Sequence, residues 1–377
     1  MKSLFNQFEV IEDPRDIRGK RHELINILIM TIYGILLKHT DFTNIAYFLK
    51  LNEEYFNDLL NLEHGTPSHD TLSNVFASIE PKEFMEIFIS WTKELVKDKT
   101  GQVINIDGKA VRSATDKINN GNIPYIVSAF LSDICLSIGQ VKVDDKSNEI
   151  TAIPELIDLL DIKGATITID AIGTQEEIVK RIVKKKGHYV LPVKNNQKTL
   201  LKDIKAYFNN QNNLKGHQEI AYKRTIEKDH GRIEVREYYL TNNITTIKDK
   251  EKWDTVKSIA YVRVNRIIED EETITDKYYI MDQELSIDRF ESITRKHWQI
   301  ENSLHWRLDV ILDEDHSRNR VGHSVNNLST IRKIVFNLVT LDKSFGEKLP
   351  LQRKLTNYQT DFKNIENLIF KVIPNVC

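Results

Sequence analysis

The hydrophobic pattern of the chain changes at Gly101, and this change limits the folds that the chain can adopt. Before Gly101 the chain is predicted to be helical, with residues 23–38 apolar on most faces and a further helix over residues 81–96, and no strand pattern appears. After it, short β-branched runs alternate with helical segments, which is typical of a mixed sheet with helices on its faces. The pattern therefore predicts a helical N-terminal domain followed by an α/β domain.

The segments after Gly101 follow the order β-β-β-α-β-α-β-α. In that order, they occupy residues 103–106, 125–131, 134–143, 154–160, 165–169, 174–186, 189–193 and 195–208. Only strand patterns occur between about residues 217 and 282, which predicts an all-β insertion, and helical patterns return at residues 286–312 and 324–342. The predicted domain boundaries are 1–100, 101–216, 217–284, 285–345 and 346–377, the last segment being a helical tail.

Composition and charge narrow the class of protein. Of the 377 residues, 40% are apolar and 29% are charged, which excludes collagen-like, low-complexity and disulfide-scaffold proteins. The two cysteines, Cys135 and Cys377, are too few for a cysteine zinc site and suggest a reducing compartment. Because the formal net charge is −2, a polyanion would have to bind to local basic patches.

The most apolar run, residues 24–37, bears on membrane association. A helix needs about 20 apolar residues to cross a bilayer, and this run is shorter. Acidic residues precede it, and no small-residue cleavage site follows it, which argues against a signal peptide. We therefore predict a buried helix in a cytoplasmic protein that has no membrane partner.

Two aspartates occupy corresponding places in the predicted sheet. Asp107 follows the strand-type run 103–106, and Asp170 follows the run 166–169. Side chains at the carboxyl ends of strands in an α/β sheet face the crevice where ligands bind, and two carboxylates there would attract Mg²⁺. The alternative is that each Asp merely ends a strand in a turn.

The third candidate carboxylate is Glu301, in the helical segment 286–312. At about 100° per residue, the apolar residues of this segment form one stripe, and Glu301 lies at its border. An ordinary exposed Glu that pairs with His297 or His305 at i±4 is the alternative. An Asp–Asp–Glu set is what two-metal phosphoryl transfer requires, with two Mg²⁺ about 4 Å apart.

Five motifs in order resemble the DDE transposases of bacterial insertion sequences, in the branch that includes the H-repeat-associated proteins. The motifs are Ile106-Asp107-Gly108-Lys109, Ile169-Asp170-Ala171-Ile172-Gly173-Thr174-Gln175, Lys194-Asn195-Asn196-Gln197-Lys198, His230-Gly231-Arg232-Ile233-Glu234-Val235-Arg236 and His297-Trp298-Gln299-Ile300-Glu301-Asn302-Ser303-Leu304-His305-Trp306. The likeness covers nearly the whole chain.

The resemblance implies an RNase H-like catalytic core with a β-strand insertion before the final catalytic helix. It implies that Asp107, Asp170 and Glu301 are the catalytic and metal-binding triad, with Mg²⁺ as cofactor and Mn²⁺ as a substitute. The implied substrate is double-stranded DNA, both the element ends and the target, and work on two ends implies a homodimer. Such a bacterial enzyme would be cytoplasmic, and associated with the nucleoid when bound to DNA.

The chain departs from the family pattern on the catalytic helix. Broader relatives have an Arg four residues before the catalytic Glu and a Lys seven residues after it. This chain has His297 and Leu308 at those positions, with Arg295 and Arg307 nearby. The departure weakens the expected role of this helix in positioning DNA more than it weakens the role of its carboxylate.

A local basic patch extends from Lys180 to Lys202, with eight Lys or Arg and no acidic residue. Such cations bind phosphates without reading sequence, and a solvated helix face is the alternative. A second basic cluster, near the N-terminus, comprises Arg15, Arg18, Lys20 and Arg21. The residues predicted to contact DNA are Lys109, Lys184, Lys185, Lys194, Asn196, Lys198, His230, Arg232, Arg236, Arg295, His297 and His305.

Two other interpretations concern the last motif. His297, Glu301, His305 and Asp309 recur at i+4 steps, but they drift around a helix and cannot all reach one zinc ion. Trp298 and Trp306 are expected to be packing residues, with base-stacking platforms as the alternative. Two alternative functions stay open at this point. One is a catalytically silent, transposon-derived DNA-binding protein, and the other is a metal-dependent nuclease without strand transfer.

Overall fold

The structure is a computed structural model that describes residues 4–16, 20–112, 123–143, 149–209, 218–229, 231–269 and 271–370. Over these residues the backbone divides into two compact units. The helical unit comprises Met1–Asp98, Gly108–Leu160 and Glu301–Cys377, and the sheet unit comprises Lys99–Asp107 and Asp161–Ile300. The predictions for His230 and Arg18 lie outside the described residues.

Helices form the N-terminal part of the helical unit, as the sequence pattern predicts. They are α1 (Leu4–Phe8), α2 (Leu24–Leu36), α3 (Phe42–Leu51), α4 (Glu53–Leu60), α5 (His69–Ser78) and α6 (Pro81–Leu95). Asp41 and Ser68 accept hydrogen bonds from backbone N–H groups in the first turns of α3 and α5, and Pro81 opens α6. The apolar helix α2 is buried along most of its length, which confirms that prediction.

The later elements of the helical unit surround one long helix. They are β2 (Tyr125–Leu131), β3 (Leu136–Val143), α7 (Glu149–Leu159), α11 (Trp306–Val310), α12 (Ser324–Leu341), α13 (Leu351–Thr360) and α14 (Phe362–Phe370). β2 and β3 pair antiparallel. α12 is buried from Ser324 to Val339 and contacts α2, α5, α6 and β3. The predicted start of α7 at Pro154 is wrong, because that proline lies in the second turn.

Buried amide side chains of α12 bond to backbone groups of its neighbours. Asn337 Oδ1 accepts the Ser137 N–H at 2.9 Å, and its Nδ2 donates to the Ser137 carbonyl at 2.8 Å. Asn327 Nδ2 donates to the carbonyls of Phe76 and Ile79 at the end of α5, at 2.9 Å each. α12 therefore satisfies backbone groups of β3 and α5 that would otherwise be buried without partners.

The sheet unit has the strand order β1-β4-β5-β9-β8-β7-β6. Its strands are β1 (Val103–Ala110, which belongs to this unit up to Asp107), β4 (Thr166–Ile169), β5 (His188–Val193), β6 (Ala221–Asp229), β7 (Arg232–Thr241), β8 (Ser258–Ile268) and β9 (Glu271–Met281). Its helices are α8 (Glu176–Lys184), α9 (Lys198–Asn209) and α10 (Ile287–Lys296). β1, β4 and β5 run parallel, and every pairing from β5 to β6 is antiparallel.

These elements confirm the predicted fold class. The parallel strands β1, β4 and β5, the antiparallel pair β2–β3 and the helices between them follow the chain order of an RNase H-like core. The four long strands β6–β9 form the predicted all-β insertion, which precedes α10. No helix within the described residues is long and apolar enough to cross a membrane.

A row of tyrosines crosses the insertion and supports α9. Tyr222, Tyr239, Tyr261 and Tyr278 are register neighbours on β6, β7, β8 and β9. Successive ring centroids lie 5.1, 5.4 and 5.2 Å apart, and the Phe208 ring of α9 lies 5.7 Å from the Tyr261 ring. Because aromatic pairs at these distances attract each other, the row fixes α9 on this face of the insertion.

The prediction of one helical segment over residues 286–312 is confirmed only in part. α10 ends at Lys296, Ile300–His305 form a π-helical turn, and α11 begins at Trp306. The predicted apolar stripe is nevertheless buried, at Ile293, Ile300, Leu304, Leu308 and Ile311. Periodicity thus identified the buried residues, but it does not detect a change in helical hydrogen bonding, since a π-turn differs from an α-helix in bonding residue i to residue i+5.

We predict that Asn337→Ala destabilises the protein by about 2–4 kcal/mol, because it leaves a buried N–H and a buried carbonyl of Ser137 without partners. Urea unfolding measures this change. Gln352→Ala, at an exposed position of α13, is the control and should change the free energy of unfolding by less than about 0.5 kcal/mol. Equal midpoints for the two variants would contradict the role assigned to Asn337.

Candidate active site

Asp107 and Asp170 are neighbours at the point where the parallel pairing of β1 with β4 ends. The last residues that pair are Ile106 and Ile169, and the next residues are Asp107, from which β1 continues to Ala110, and Asp170, which directly follows β4. Paired strands lie about 4.8 Å apart, and paired residues point to the same face. The register therefore brings both carboxylates to one edge and one face of the sheet.

A hydrogen-bonded cluster lies two residues before the aspartates, on the same face. Asn105 Nδ2 donates to Thr168 Oγ1 at 2.7 Å, and both side chains are buried. His297 Nδ1 lies 3.0 Å from the same Thr168 Oγ1. Since His297 directly follows α10, this cluster fixes the end of α10 on the face that holds the two aspartates.

The carboxylate of Asp170 is held in its ionised form. Burial alone would raise its pKa, but the Ala171 N–H, which donates to Oδ1 at 2.7 Å, and the nearby Lys194 ammonium outweigh burial and lower the pKa. The Lys194 Nζ is 3.3 Å from Oδ1, and the Asp170 side chain is 55% exposed. An ionised and accessible carboxylate of this kind can bind a cation.

His297 and Lys277 lie near Asp170, and Trp298 lies beside both of them. Burial lowers the pKa of His297 to about 4, although the charge of Asp170 opposes this effect, so the imidazole is neutral at pH 7. Burial also lowers the pKa of Lys277, whose Nζ lies 5.4 Å from the ring centre of Trp298. Trp298 is 52% exposed and Trp306 is 53% exposed, so the two rings, predicted to be packing residues, do not belong to the core.

Glu301, the third member of the predicted triad, belongs to the helical unit, whereas Asp107 and Asp170 belong to the sheet unit. It lies in the π-helical turn, and its side chain is exposed. The residues that follow it, through Glu314, contain the partners of Lys109. Glu301 is therefore an accessible carboxylate at the start of a segment that is anchored within its own unit.

Lys109 is the anchor of that segment. Its Nζ pairs with Asp309 and, at 2.7 Å, with Glu314, whose side chain is only 2% exposed. Burial opposes the charge of Lys109, but the two carboxylates outweigh it and raise the pKa of the ammonium. The structure thus surrounds Lys109 with carboxylates of its own chain, and its predicted DNA contact stays a prediction.

The same buried network includes His305, another residue predicted to contact DNA. Burial and the cations Lys109 and Lys333 lower the pKa of His305 to about 3. Lys333 bonds to Gln140 and Ser329, and burial lowers its pKa to about 8. His305 is therefore a neutral, buried group inside the helical unit at pH 7.

The structure divides the basic patch into two parts. On α8, Lys180 pairs with Glu176 and Arg181 pairs with Glu177, each at 2.9 Å. Lys184 is exposed and Lys185 is partly buried at the end of the same helix. Beyond β5, Lys194, Asn196 and Lys198 are exposed. Lys194 pairs with Asp170, so each part of the patch contains both paired and exposed cations.

β7, the strand predicted to contact DNA, contains a carboxylate that pairs with its basic residues. Glu234 is 2% exposed and pairs with Arg236 and with Arg266, the latter at 3.2 Å. Arg295 of α10 pairs with Glu227, which Arg236 also contacts, so the structure brings these two predicted residues together. Arg232 is exposed. In the N-terminal cluster, Arg15 is bound by Asp13 at 2.7 Å.

The donor set at the sheet edge fits a divalent cation that prefers oxygen ligands. Mg²⁺ is commonly held by one or two carboxylates together with substrate phosphates, and Asp107 and Asp170 offer two. Within the described ranges, no group of three His, Cys, Asp or Glu side chains could hold a metal ion. The zinc alternative lacks support, since Asp309 is bound by Lys109 and His297 by Thr168.

Comparison with known proteins identifies relatives along the whole chain. The family described as "Transposase DDE domain" matches residues 101–338, and the family described as "DDE_Tnp_1-associated" matches residues 5–92. The chain is 36% identical to the protein YbfL and 36% identical to the "H repeat-associated putative transposase YhhI", both of Escherichia coli strain K12. In each case, the alignment covers 96% of both chains.

One solved structure also aligns with the chain. It is a piggyBac transposase synaptic complex with hairpin DNA, which is 9% identical to this chain. The alignment covers 97% of this chain and 76% of the other, with a TM-score of 0.45.

We predict that Glu314→Gln destabilises the protein by about 3–5 kcal/mol, because it removes a negative charge that pairs with the Lys109 ammonium inside the helical unit. Burial alone would raise the pKa of Glu314, but Lys109, Lys333 and Arg332 lower it well below its usual range. The stabilisation is therefore fully present above the unfolded pKa and is lost as the pH falls.

Thermal and urea unfolding at neutral pH test this prediction. Glu347→Gln is the control, since Glu347 forms an exposed i,i+4 pair with Lys343 and should contribute at most about 1 kcal/mol. If the two variants unfolded at the same midpoint, the buried network would not stabilise the unit as argued.

Proposed function

Because this chain belongs to the DDE transposase family, in the branch that includes the H repeat-associated proteins, we propose that it cuts DNA at the ends of an insertion sequence and joins them to target DNA. One observation carries the proposal: the parallel register of β1 and β4 puts Asp107 and Asp170 side by side at one sheet edge. Two-metal phosphoryl transfer requires carboxylates in that arrangement.

Asp107 and Asp170 would hold one divalent ion, and Glu301 would complete the site of the second. Mg²⁺, or Mn²⁺ in its place, would supply Lewis acidity that stabilises charge on the phosphate and activates the attacking oxygen. The ionised state of Asp170 supports its role as a ligand. The position of Glu301, four residues after the His297 that bonds to the strand of Asp170, supports its inclusion in the site.

The reaction would consist of two displacements at phosphorus. In the first, a water oxygen bonds to the scissile phosphate, and the 3′-oxygen of the element leaves as a 3′-OH. In the second, that 3′-OH attacks a phosphate of the target and displaces its 3′-oxygen. Lys194, beside Asp170, would place an ammonium at the bound phosphate, and His297 would hold the end of α10 in position.

The wider assignments follow from this activity. The partner would be double-stranded DNA, contacted by exposed basic residues such as Lys184, Lys198 and Arg232. Two element ends must be processed together, which favours a homodimer in the DNA complex. The protein would be cytoplasmic and nucleoid-associated when bound to DNA. The domain boundaries proposed from the sequence, with the first 100 residues binding DNA ends or a second subunit, stay a proposal.

We expect Asp107→Asn, Asp170→Asn and Glu301→Gln each to slow end cleavage by roughly two to four orders of magnitude, because a lost metal ligand removes several kcal/mol of transition-state stabilisation. Cleavage of a labelled duplex that spans an element end, in the presence of Mg²⁺, measures this effect. Binding of the same duplex by electrophoretic mobility shift should change by less than tenfold.

Asp161→Asn is the matched control, since Asp161 is an exposed aspartate of the same sheet unit. It should cut at the rate of the unaltered protein. If Glu301→Gln cut as fast as Asp161→Asn, Glu301 would have to be removed from the triad, whatever the aspartate variants did.

Removal of metal should abolish cleavage and preserve DNA binding. We expect a chelator to stop strand scission completely and Mg²⁺ or Mn²⁺ to restore it, while the bound fraction of DNA changes little. Scission that persists in excess chelator would exclude the metal-dependent mechanism. Binding that is never followed by scission would instead favour a catalytically silent protein, and scission without joining of pre-cut ends would favour a nuclease.

A further inference from the structure

The exposed face of α9 presents a row of lysines. Lys198, Lys202 and Lys205 occur at i, i+4 and i+7, which is the spacing of one helix face, and all three are exposed. With a rise of 1.5 Å per residue, the row is about 10 Å long. It lines a groove of about 350 Å³ together with Asn195 and Asn209.

This face of α9 contains no compensating carboxylate. Between Lys194 and Asn209 the only acidic residue is Asp203, which is 4% exposed and accepts the backbone N–H of Lys248 at 3.1 Å. Among the residues that the structure describes, Lys198 and Lys202 form no ion pair. α9 thus differs from α8, where Lys180 is neutralised by an acidic residue one turn before it.

Short hydrogen bonds fix the start of the row beside Asp170. Asn196 Nδ2 donates to the Ala171 carbonyl at 2.7 Å, and Gln197 Nε2 donates to the Thr174 carbonyl at 3.0 Å. Lys194 is 3.3 Å from Asp170 itself. The start of the row is therefore held next to Asp170, the carboxylate proposed to bind the metal ion at the scissile phosphate.

The insertion fixes the far end of the row. The Lys205 Nζ lies 5.5 Å from the ring centre of Tyr278, a member of the tyrosine row. Lys205 also helps to lower the pKa of Asp276, which Arg263 already binds at 3.0 Å. The ammonium groups of the row are thus presented by a helix that is held at both ends.

We propose that the α9 row binds consecutive phosphates of the duplex that is being cut, leading away from the Asp170 site. The proposal rests on the proposed function. A row of cations on a helix that exposes no carboxylate of its own is complementary to a polyanion, and the DNA that enters the Asp170 site brings its own next phosphates to Lys198 first. Lys205 then becomes a DNA-binding residue that the sequence analysis did not identify, and Lys202 of the predicted basic patch is assigned to the same row.

The first test is the salt dependence of binding. The triple variant carries Lys198→Gln, Lys202→Gln and Lys205→Gln, and its DNA is a duplex from the sequence that flanks the coding sequence. The slope of log K against log salt should be smaller than for the unaltered protein by about 2.7, since each lost phosphate contact removes about 0.9. Binding is measured without Mg²⁺ so that no DNA is cut. Lys343→Gln, at an exposed lysine of the helical unit, is the control and should keep the original slope.

The second test assigns the contacts to phosphates next to the cut. The test uses a set of duplexes in which a neutral methylphosphonate replaces each successive phosphate beside the scissile one. At the phosphate that Lys202 contacts, this replacement should weaken binding by the unaltered protein but should not weaken binding by Lys202→Gln any further. In a scrambled duplex of equal length with the same methylphosphonates, no position should affect the unaltered protein and Lys202→Gln differently. Circular dichroism checks that all variants are folded, as the exposure of the three lysines leads us to expect.

The outcomes separate this proposal from the proposed function. If the unaltered protein cuts element ends and the triple variant keeps its salt slope, the row is not a phosphate track, and the enzyme activity stands. If the slope falls but no methylphosphonate position couples to Lys202, the row binds DNA elsewhere and the proposal is overturned. If the unaltered protein neither binds nor cuts the duplex, both proposals fail together.

Discussion

The parallel pairing of β1 with β4 is the interaction on which the candidate active site depends. Ile106 and Ile169 are buried and are the last paired residues of β1 and β4, and the aspartates that follow them therefore lie at the same level of the sheet. The hydrogen bond from Asn105 to Thr168 strengthens this register, because both side chains are buried and would lose their partner if one strand slipped. A slip of one residue would also turn Asp170 to the opposite face of the sheet. Precise placement of the two carboxylates is thus a consequence of core packing.

The two units contain ion pairs of different kinds. In the helical unit, Lys109 and Glu314 cancel each other inside the protein, where an unpaired charge would be very costly. In the sheet unit, Lys194 compensates Asp170 at the surface, where a phosphate or a cation could displace it at small cost because both groups are more than half exposed. The first pair can anchor a segment, whereas the second can exchange partners when a substrate arrives.

Strands and buried helix faces could be predicted from the sequence, because residues close together in the chain determine them. The environments of side chains whose partners lie far away in the chain could not. A β-branched run followed by Asp identified β1 and β4, although β1 continues past Asp107 to Ala110, and helical periodicity identified the buried face around Leu304. Sequence reasoning did not identify the environment of Lys109, because its carboxylate partners lie about two hundred positions later in the chain. It also misjudged Trp298, because the partner of this ring is Lys277, about twenty positions earlier in the chain, and the ring is half exposed beside that lysine.

The same distinction explains why a net charge of −2 is compatible with binding a polyanion. Much of the positive charge in this chain is cancelled locally, by i,i+4 pairs on α8, by Glu234 on β7 and by Glu314 around Lys109. Affinity for phosphates depends on the cations that remain uncompensated on one surface, because each neutralises a phosphate and releases a counterion. α9 retains such cations since its single acidic residue, Asp203, is buried against the backbone of Lys248. Placement of one carboxylate inside the fold thus creates a basic surface that the overall composition does not indicate.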